Sequence, residues 1–191
     1  MPRAPARRAA VAIAAAAVVI GIGGRQSGAQ DLDAAVSGFA IAPPAGYVAR
    51  AAAPSSASRF VIGLTKPDEP GTACEVSFEA LPGFEQFTQA ALNPQTERPG
   101  WEEFYREGLG AFYDVRRVEA FEHAGVRGAV VFGVSMKKPA VRGWIADRPA
   151  LIFMLYTPKG LGKVVCFAEA PMFDARRAEF EAVARGLTLP R

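Results

Sequence analysis

The chain has 191 residues, of which 50% are hydrophobic and 10% aromatic, and its formal net charge is +3. Such a composition is typical of a folded globular protein and excludes a disordered chain. The length allows one domain with its own hydrophobic core and is too short for two domains that each have a sufficient core.

The first 29 residues have the layout of a secretory signal peptide. Arginines at the start precede an apolar run over residues 9–22, and small residues follow, Ser27 and Ala29 among them. Because Ser27 and Ala29 suit the two small-residue subsites, we predict cleavage after Ala29. The run is shorter than the roughly 20 residues of a membrane span, so retention as an anchor is the alternative. We therefore predict a periplasmic or secreted protein without an integral membrane span after cleavage.

Removal of this segment changes the charge balance. Residues 1–29 hold four of the 22 basic side chains and no acidic one, so the remainder has 18 basic and 19 acidic side chains, a net of −1. A near-neutral domain lacks the basic surface of a nucleic-acid-binding protein. We therefore expect no nucleic-acid partner.

In chain order, residues 30–38 form a short polar lead-in, and a single globular domain is predicted over residues 39–191. Residues 39–41 begin a strand, and a Pro-Gly turn follows at residues 43–46. Residues 59–65 and 74–80 alternate apolar and polar side chains, which predicts two half-buried strands.

After residue 80, the spacing of the apolar residues changes from that of a strand to that of a helix. Residues 84–92 and 99–114 have apolar side chains at helical spacing, and the second segment carries an aromatic stripe. We interpret this stripe as core packing, since burial demands such spacing. The alternative is that the stripe lines a ligand pocket between the helix and the sheet.

Two hairpins and a last helix complete the chain. Residues 115–122 and 126–136 read as strands around a turn at His123, and residues 151–156 and 164–170 as strands around a connector at 157–163. Residues 151–156 have no polar position before the Tyr156 hydroxyl, so both faces of that strand should be covered. For the last helix, Asp174 is the expected N-cap and Gly186 the expected left-handed residue at the end.

Segregated strands joined by short connectors predict an α+β fold. We expect a mainly antiparallel β-sheet of about six to seven strands with helices packed on both faces.

The pattern Phe39-x-Ile41-x-Pro43-x-x-Gly46-Tyr47 resembles the start of PsbP-like and DcrB-like domains. The resemblance extends over residues 39–189 through the order of the later elements. It implies an antiparallel sheet between helices and a role in binding rather than catalysis. Relatives include an extrinsic photosystem II subunit, a Ran-binding nuclear import factor and periplasmic proteins. No family site motif maps onto this sequence.

Cys74 and Cys166 are the two cysteines of the chain. In an oxidising compartment an even count predicts one disulfide, and the alternative is two buried free thiols. Two cysteines and one histidine are too few for a structural zinc site, so we predict no metal.

The sequence lacks the usual catalytic sets. His123 is the one histidine, and no G-x-S-x-G elbow is present. Cys166 and His123 could form a thiol nucleophile pair, but Cys166 lies in an apolar strand, where a thiol is inert. We predict no catalytic residue and no cofactor, and we leave open whether the protein is an enzyme.

Residues 137–149 form an irregular basic segment with Arg142, Trp144 and Arg148. Trp and Arg are enriched at binding hot spots, and loops carry function disproportionately. These three residues are therefore our candidate binding site, the alternative being that Trp144 folds over the sheet edge. The predicted function is an exported non-enzymatic interaction or accessory domain with an unknown protein partner, or else a small-molecule-binding protein or enzyme with the helix–sheet pocket.

Overall fold

The computed structural model describes residues 38–52, 60–136 and 146–191, and its centre is an antiparallel sheet of seven strands. The strands in chain order are β1 (Ala40–Ile41), β2 (Val48–Ala52), β3 (Phe60–Thr65), β4 (Ala73–Glu79), β5 (Tyr113–His123), β6 (Val126–Ser135), β7 (Pro149–Thr157), β8 (Gly160–Phe167) and β9 (Leu187–Thr188). The helices are α1 (Gln89–Leu92), α2 (Trp101–Gly110) and α3 (Ala170–Arg185), with 3₁₀ turns at Phe84–Gln86 and Asn93–Glu97. The predicted α+β class is confirmed.

Two meanders meet in the middle of the large sheet. Its strand order is β2-β3-β4-β8-β7-β6-β5, and β1 pairs separately with β9. Every neighbouring pair in the large sheet follows directly along the chain except β4 and β8. Contact between the two halves of this sheet therefore depends on the β4–β8 ladder.

The predicted disulfide lies in that ladder. Cys74 on β4 is directly opposite Cys166 on β8, and their sulfur atoms are bonded. Both residues are buried, with 3% and 0% of their surfaces exposed. The alternative of two free thiols is therefore wrong, and the bridge ties the halves of the sheet at their junction.

Both faces of the sheet are covered, as the apolar run at residues 151–156 predicts. Leu151, Phe153 and Leu155 belong to a core cluster with Phe180 of α3. Ile152 and Met154, which alternate with them, belong to a second cluster that includes residues of α2. Since successive side chains of a strand point to opposite faces, β7 has a helix on each side.

The structure corrects three of the predicted hairpin and helix boundaries in the middle of the chain. The connector predicted at residues 157–163 is much shorter, because β8 already begins at Gly160. The helix predicted over residues 84–92 is broken into a 3₁₀ turn and the four-residue α1, whose N-cap Thr88 accepts a hydrogen bond from the backbone N–H of Ala91. The aromatic helix ends at Gly110, so Tyr113 lies on β5 rather than on the helix.

The ends of the last helix also differ from the prediction. Helix α3 begins at Ala170, a turn before Asp174, because Pro171 occupies the first turn, where a missing N–H is tolerated. Gly186 has a φ of −78°, so it is not left-handed. A Cβ at this position would stand 2.2 Å from the carbonyl oxygen of Ala42, so close backbone approach explains the glycine.

Candidate functional site

One end of the large sheet, which we call the loop end, comprises the turn between β3 and β4 (residues 66–72), Arg148 and the start of α3. Of the three predicted binding residues, Arg142 and Trp144 lie outside the described residues. Arg148 directly precedes β7 and is half-buried. The structure therefore locates one member of the predicted set.

Arg148 links the start of β7 to the β3–β4 turn. Its guanidinium Nη1 donates a hydrogen bond of 3.1 Å to the carbonyl oxygen of Gly71. Its backbone N–H donates to Ser135 Oγ at 3.0 Å, and the Ser135 N–H donates to the Arg148 carbonyl oxygen at 2.9 Å. Ser135 ends β6 and Arg148 leads into β7, so these bonds join the end of β6 to the start of β7.

The same β3–β4 turn takes part in an ion cluster of two cations and two carboxylates, formed by Lys66, Glu69, Arg176 and Glu179. Lys66 Nζ is 2.8 Å from a Glu69 oxygen and 3.0 Å from a Glu179 oxygen. Arg176 pairs with the same two carboxylates, at 2.5 Å from Glu69 and by a second contact with Glu179. The cluster neutralises itself and fastens the β3–β4 turn to α3.

The environment of the cluster favours its charged form. The hydrogen bond from Lys66 lowers the pKa of Glu69 below its usual value, although partial desolvation opposes this. Burial raises the pKa of Glu179, but hydrogen bonds from Lys66 and Arg176 outweigh it, and the pKa is lowered. Burial and the nearby Glu179 carboxylate raise the pKa of Tyr47 to about 12, so this phenol stays neutral.

Side chains fill the described interface between the aromatic helix and the sheet. Tyr105 of α2 is only 5% exposed and packs with Val131, Ile152 and Met154. Burial raises the pKa of Tyr105, as expected for a phenol removed from water. Packing of this kind favours the core interpretation of the aromatic stripe over the ligand pocket. Phe104 is the exception on this helix, with 60% of its surface exposed.

The residues considered for nucleophilic chemistry have structural bonds instead. Both sulfur atoms are in the disulfide, so Cys166 cannot act as a thiol nucleophile while it is oxidised. His123 Nε2 is 2.7 Å from the carbonyl oxygen of Leu187, and since a carbonyl only accepts, Nε2 carries the proton. Among the described residues, no group of three His, Cys, Asp or Glu side chains is placed to hold a metal ion.

The opposite end of the sheet, which we call the turn end, contains a cavity of about 570 Å³. It lies between the β5–β6 turn (Ala124–Gly125) and the C-terminal segment (residues 187–191). Its lining includes Ala42, His123, Val126, Arg185, Leu187 and Arg191. Our sequence interpretation missed this cavity because three distant segments form it. The tight packing of Gly186 that brings two of them together has no local sequence signal.

In the part of the chain that the structure describes, no helix is long and apolar enough to span a membrane.

No protein-family model matches the sequence, and no curated protein matches it. The chain is similar to the solution structure of cyanobacterial PsbP (CyanoP) from Synechocystis sp. PCC 6803, with a TM-score of 0.52 and 14% sequence identity. The match covers 78% of this chain and 85% of that chain. At this identity the likeness shows the fold alone, so the expected PsbP-like fold is confirmed and function has to be argued from the site.

Proposed function

We propose that this chain is an exported, non-enzymatic interaction domain and that its protein partner binds at the loop end. The observation that carries the proposal is the hydrogen bond from Arg148 to the Gly71 carbonyl, together with the Ser135 contacts. These bonds hold Arg148, which directly follows the predicted basic, Trp-bearing residues in the sequence, against the sheet. Binding sites on loops that a rigid scaffold positions are common in proteins.

The disulfide supports export. Structural disulfides form and persist in oxidising compartments and are rare in the cytosol of most organisms. The Cys74–Cys166 bridge is buried at the junction of the two meanders, as expected for a structural bond. Together with the signal-peptide layout of residues 1–29, it favours a periplasmic or secreted location after cleavage at Ala29.

The chemistry of the loop end favours a protein as the partner. The ion cluster is internally neutralised, so it supplies rigidity and little net charge for recognition. In the sequence, Arg142 and Trp144 shortly precede Arg148, so the predicted set contains one large aromatic side chain and two guanidinium groups, the residue types that dominate hot spots. A partner with an acidic, hydrogen-bond-accepting surface fits this set.

Affinity capture with the purified protein tests the proposal. Wild type and the variant Arg142→Ala/Trp144→Ala are immobilised at equal density, and captured proteins from the exported fraction of the source organism are quantified by mass spectrometry. The control Arg116→Ala/Phe104→Ala also removes one arginine and one aromatic ring. Its side chains lie on β5 and α2 and are 67% and 60% exposed.

We expect at least a tenfold loss of specific captured protein for the loop variant, since hot-spot truncations cost about 2 kcal/mol or more. The control should capture the same proteins as the wild type. Equal capture by the loop variant and the wild type would contradict the proposed surface. Circular dichroism of both variants checks that each remains folded.

A further inference from the structure

We propose that the turn-end cavity binds a small organic acid with an apolar body, whose carboxylate interacts with Arg185 and Arg191. The site is distinct from the loop end. The nine residues of β7 run from one end to the other, a span of about 26 Å at strand rise.

The size and walls of the cavity suit a small amphipathic molecule. Its volume of about 570 Å³ lies within the usual range of ligand pockets, roughly 300–1,000 Å³. Apolar side chains of Val126, Leu187, Leu189 and Pro190 contribute to the lining. An alkyl chain or an aromatic ring would remove these surfaces from water, which is favourable in proportion to the apolar area buried.

The cations at the cavity indicate the sign of the ligand charge. Arg185 Nη1 donates to the carbonyl oxygen of Glu122 at 3.4 Å, and Arg191 donates to the carbonyl oxygen of Ala124. Neither guanidinium has a carboxylate partner among the described residues, whereas Arg127 pairs with two glutamates. Each guanidinium has five donors, so both keep donors for a carboxylate.

Hydrogen bonds to backbone carbonyl oxygens hold the cavity in shape. The N–H of Ala42 donates to the carbonyl oxygen of Gly186 at 2.9 Å, and the glycine allows this approach. His123 Nε2 donates to the Leu187 carbonyl oxygen at 2.7 Å, which joins the end of β5 to β9. A site fixed in this way requires little ordering when a ligand binds, and preorganisation increases affinity.

Decanoate and 1-decanol are a matched pair of probes, because they share the alkyl chain and differ in charge. The protein is expressed from its full sequence and purified, and each probe is titrated by isothermal titration calorimetry. We expect decanoate to bind with a dissociation constant below about 1 mM and 1-decanol to bind at least tenfold more weakly, since charge-assisted hydrogen bonds are about twice as strong as neutral ones. Failure of decanoate to bind below 1 mM, or equal binding of the two probes, would overturn the proposal.

Variants and chemical-shift mapping locate the site. Arg185→Gln and Arg191→Gln should each weaken decanoate binding at least fivefold, while the exposed Arg116→Gln leaves it unchanged. Arg185 also lies over the Phe121 ring at 5.2 Å, so Arg185→Lys, which keeps the charge, separates lost binding from lost packing. Decanoate should shift the backbone amide signals of Val126 and Leu187 in wild-type protein. Shifts confined to other regions would overturn the assignment without any substitution.

The loop-end proposal does not depend on this result. Decanoate binding at the turn end leaves protein capture by Arg142 and Trp144 untested, and loss of capture leaves the cavity untested. A negative result in one experiment therefore contradicts only the proposal that the experiment tests.

Discussion

Removal of the Cys74–Cys166 disulfide should lower the free energy of unfolding by about 4.6 kcal/mol at 25 °C. The bridge joins residues 92 apart, and the chain-entropy model for a loop of about that length gives this value. The free energy of unfolding of a natural domain is about 5–15 kcal/mol, so the bridge is expected to contribute a large part of the stability of this domain. The effect should be strong here because the bridge lies in the β4–β8 ladder, which closes the longest loop between neighbouring strands of the large sheet.

Urea unfolding measures this contribution in two steps. The first step compares oxidised wild type with wild type kept reduced, which retains both sulfur atoms in the core. With a slope of about 2 kcal/mol per molar urea, the midpoint should fall by roughly 2 M. The second step uses Cys74→Ala/Cys166→Ala, which also removes one buried heavy atom at each site and should cost about 0.5–1.5 kcal/mol more per site. Midpoints of reduced and oxidised wild type within 0.5 M would refute the reasoning.

Two further predictions concern the ion cluster and the glycines. Glu69 and Glu179 have folded-state pKa values below their ordinary 4.5, so the unfolded chain binds more protons near that pH, and the unfolding free energy falls as the pH drops through the folded-state values. The stability difference between wild type and Glu69→Gln/Glu179→Gln should therefore shrink from pH 6 to pH 3 in urea titrations, and a constant difference would contradict the assignment. Gly128→Ala should prevent folding, because its Cβ would stand 1.9 Å from the carbonyl oxygen of Met154, whereas exposed Gly108→Ala should raise stability by up to about 1 kcal/mol. Soluble yield and thermal unfolding check this pair, and a Gly128→Ala protein as stable as wild type would be inconsistent with the close strand approach.

The sheet could be predicted because its strands have simple local patterns. Residues 59–65 and 74–80 alternate, and β3 and β4 lie there. Most apolar residues of the predicted faces are buried, whereas Phe60 is half-buried. The uninterrupted apolar run at 151–156 requires cover on both faces, and α2 and α3 supply it. A strand that is buried on one face has alternating apolar residues, and a strand that is buried on both faces has a continuous apolar run, so both can be recognised in the sequence.

The disulfide apart, features that depend on contacts between distant segments were not predictable. Gly160 looked like part of a connector, yet it starts β8, with a φ of 146° and space for no Cβ beside the carbonyl oxygen of Glu79. Gly162 lacks a side chain where a methyl group of Leu189 packs, at 2.2 Å from an added Cβ. In a single sequence, a glycine needed for packing looks the same as a glycine of a turn.

The candidate sites also combine features that the local sequence indicates with features that depend on the assembled fold. Composition alone makes Arg148 a candidate binding residue, because Arg and Trp in an irregular segment indicate binding without any knowledge of the fold, and this role stays a prediction. Its hydrogen bond to Gly71 was not predictable, since it depends on the β3–β4 turn reaching the base of another loop. The turn-end cavity was missed altogether, because Ala42, Val126 and Leu187 meet only after the sheet and α3 are assembled.

Whether a cation pairs with carboxylates within the fold indicates whether its role is structural or whether it is available to bind a ligand. Lys66 and Arg176 each contact two carboxylates, so their charges are neutralised within the fold. Their ion pairs connect the β3–β4 turn to α3. Arg185 and Arg191 donate only to backbone carbonyls among the described residues, and they lie beside an apolar concavity. A cation without a counter-charge next to apolar walls attracts an anion with an apolar body more strongly than a neutralised cluster does. Charge neutralisation, more than the number of basic residues, therefore indicates where this near-neutral domain would bind a small ligand.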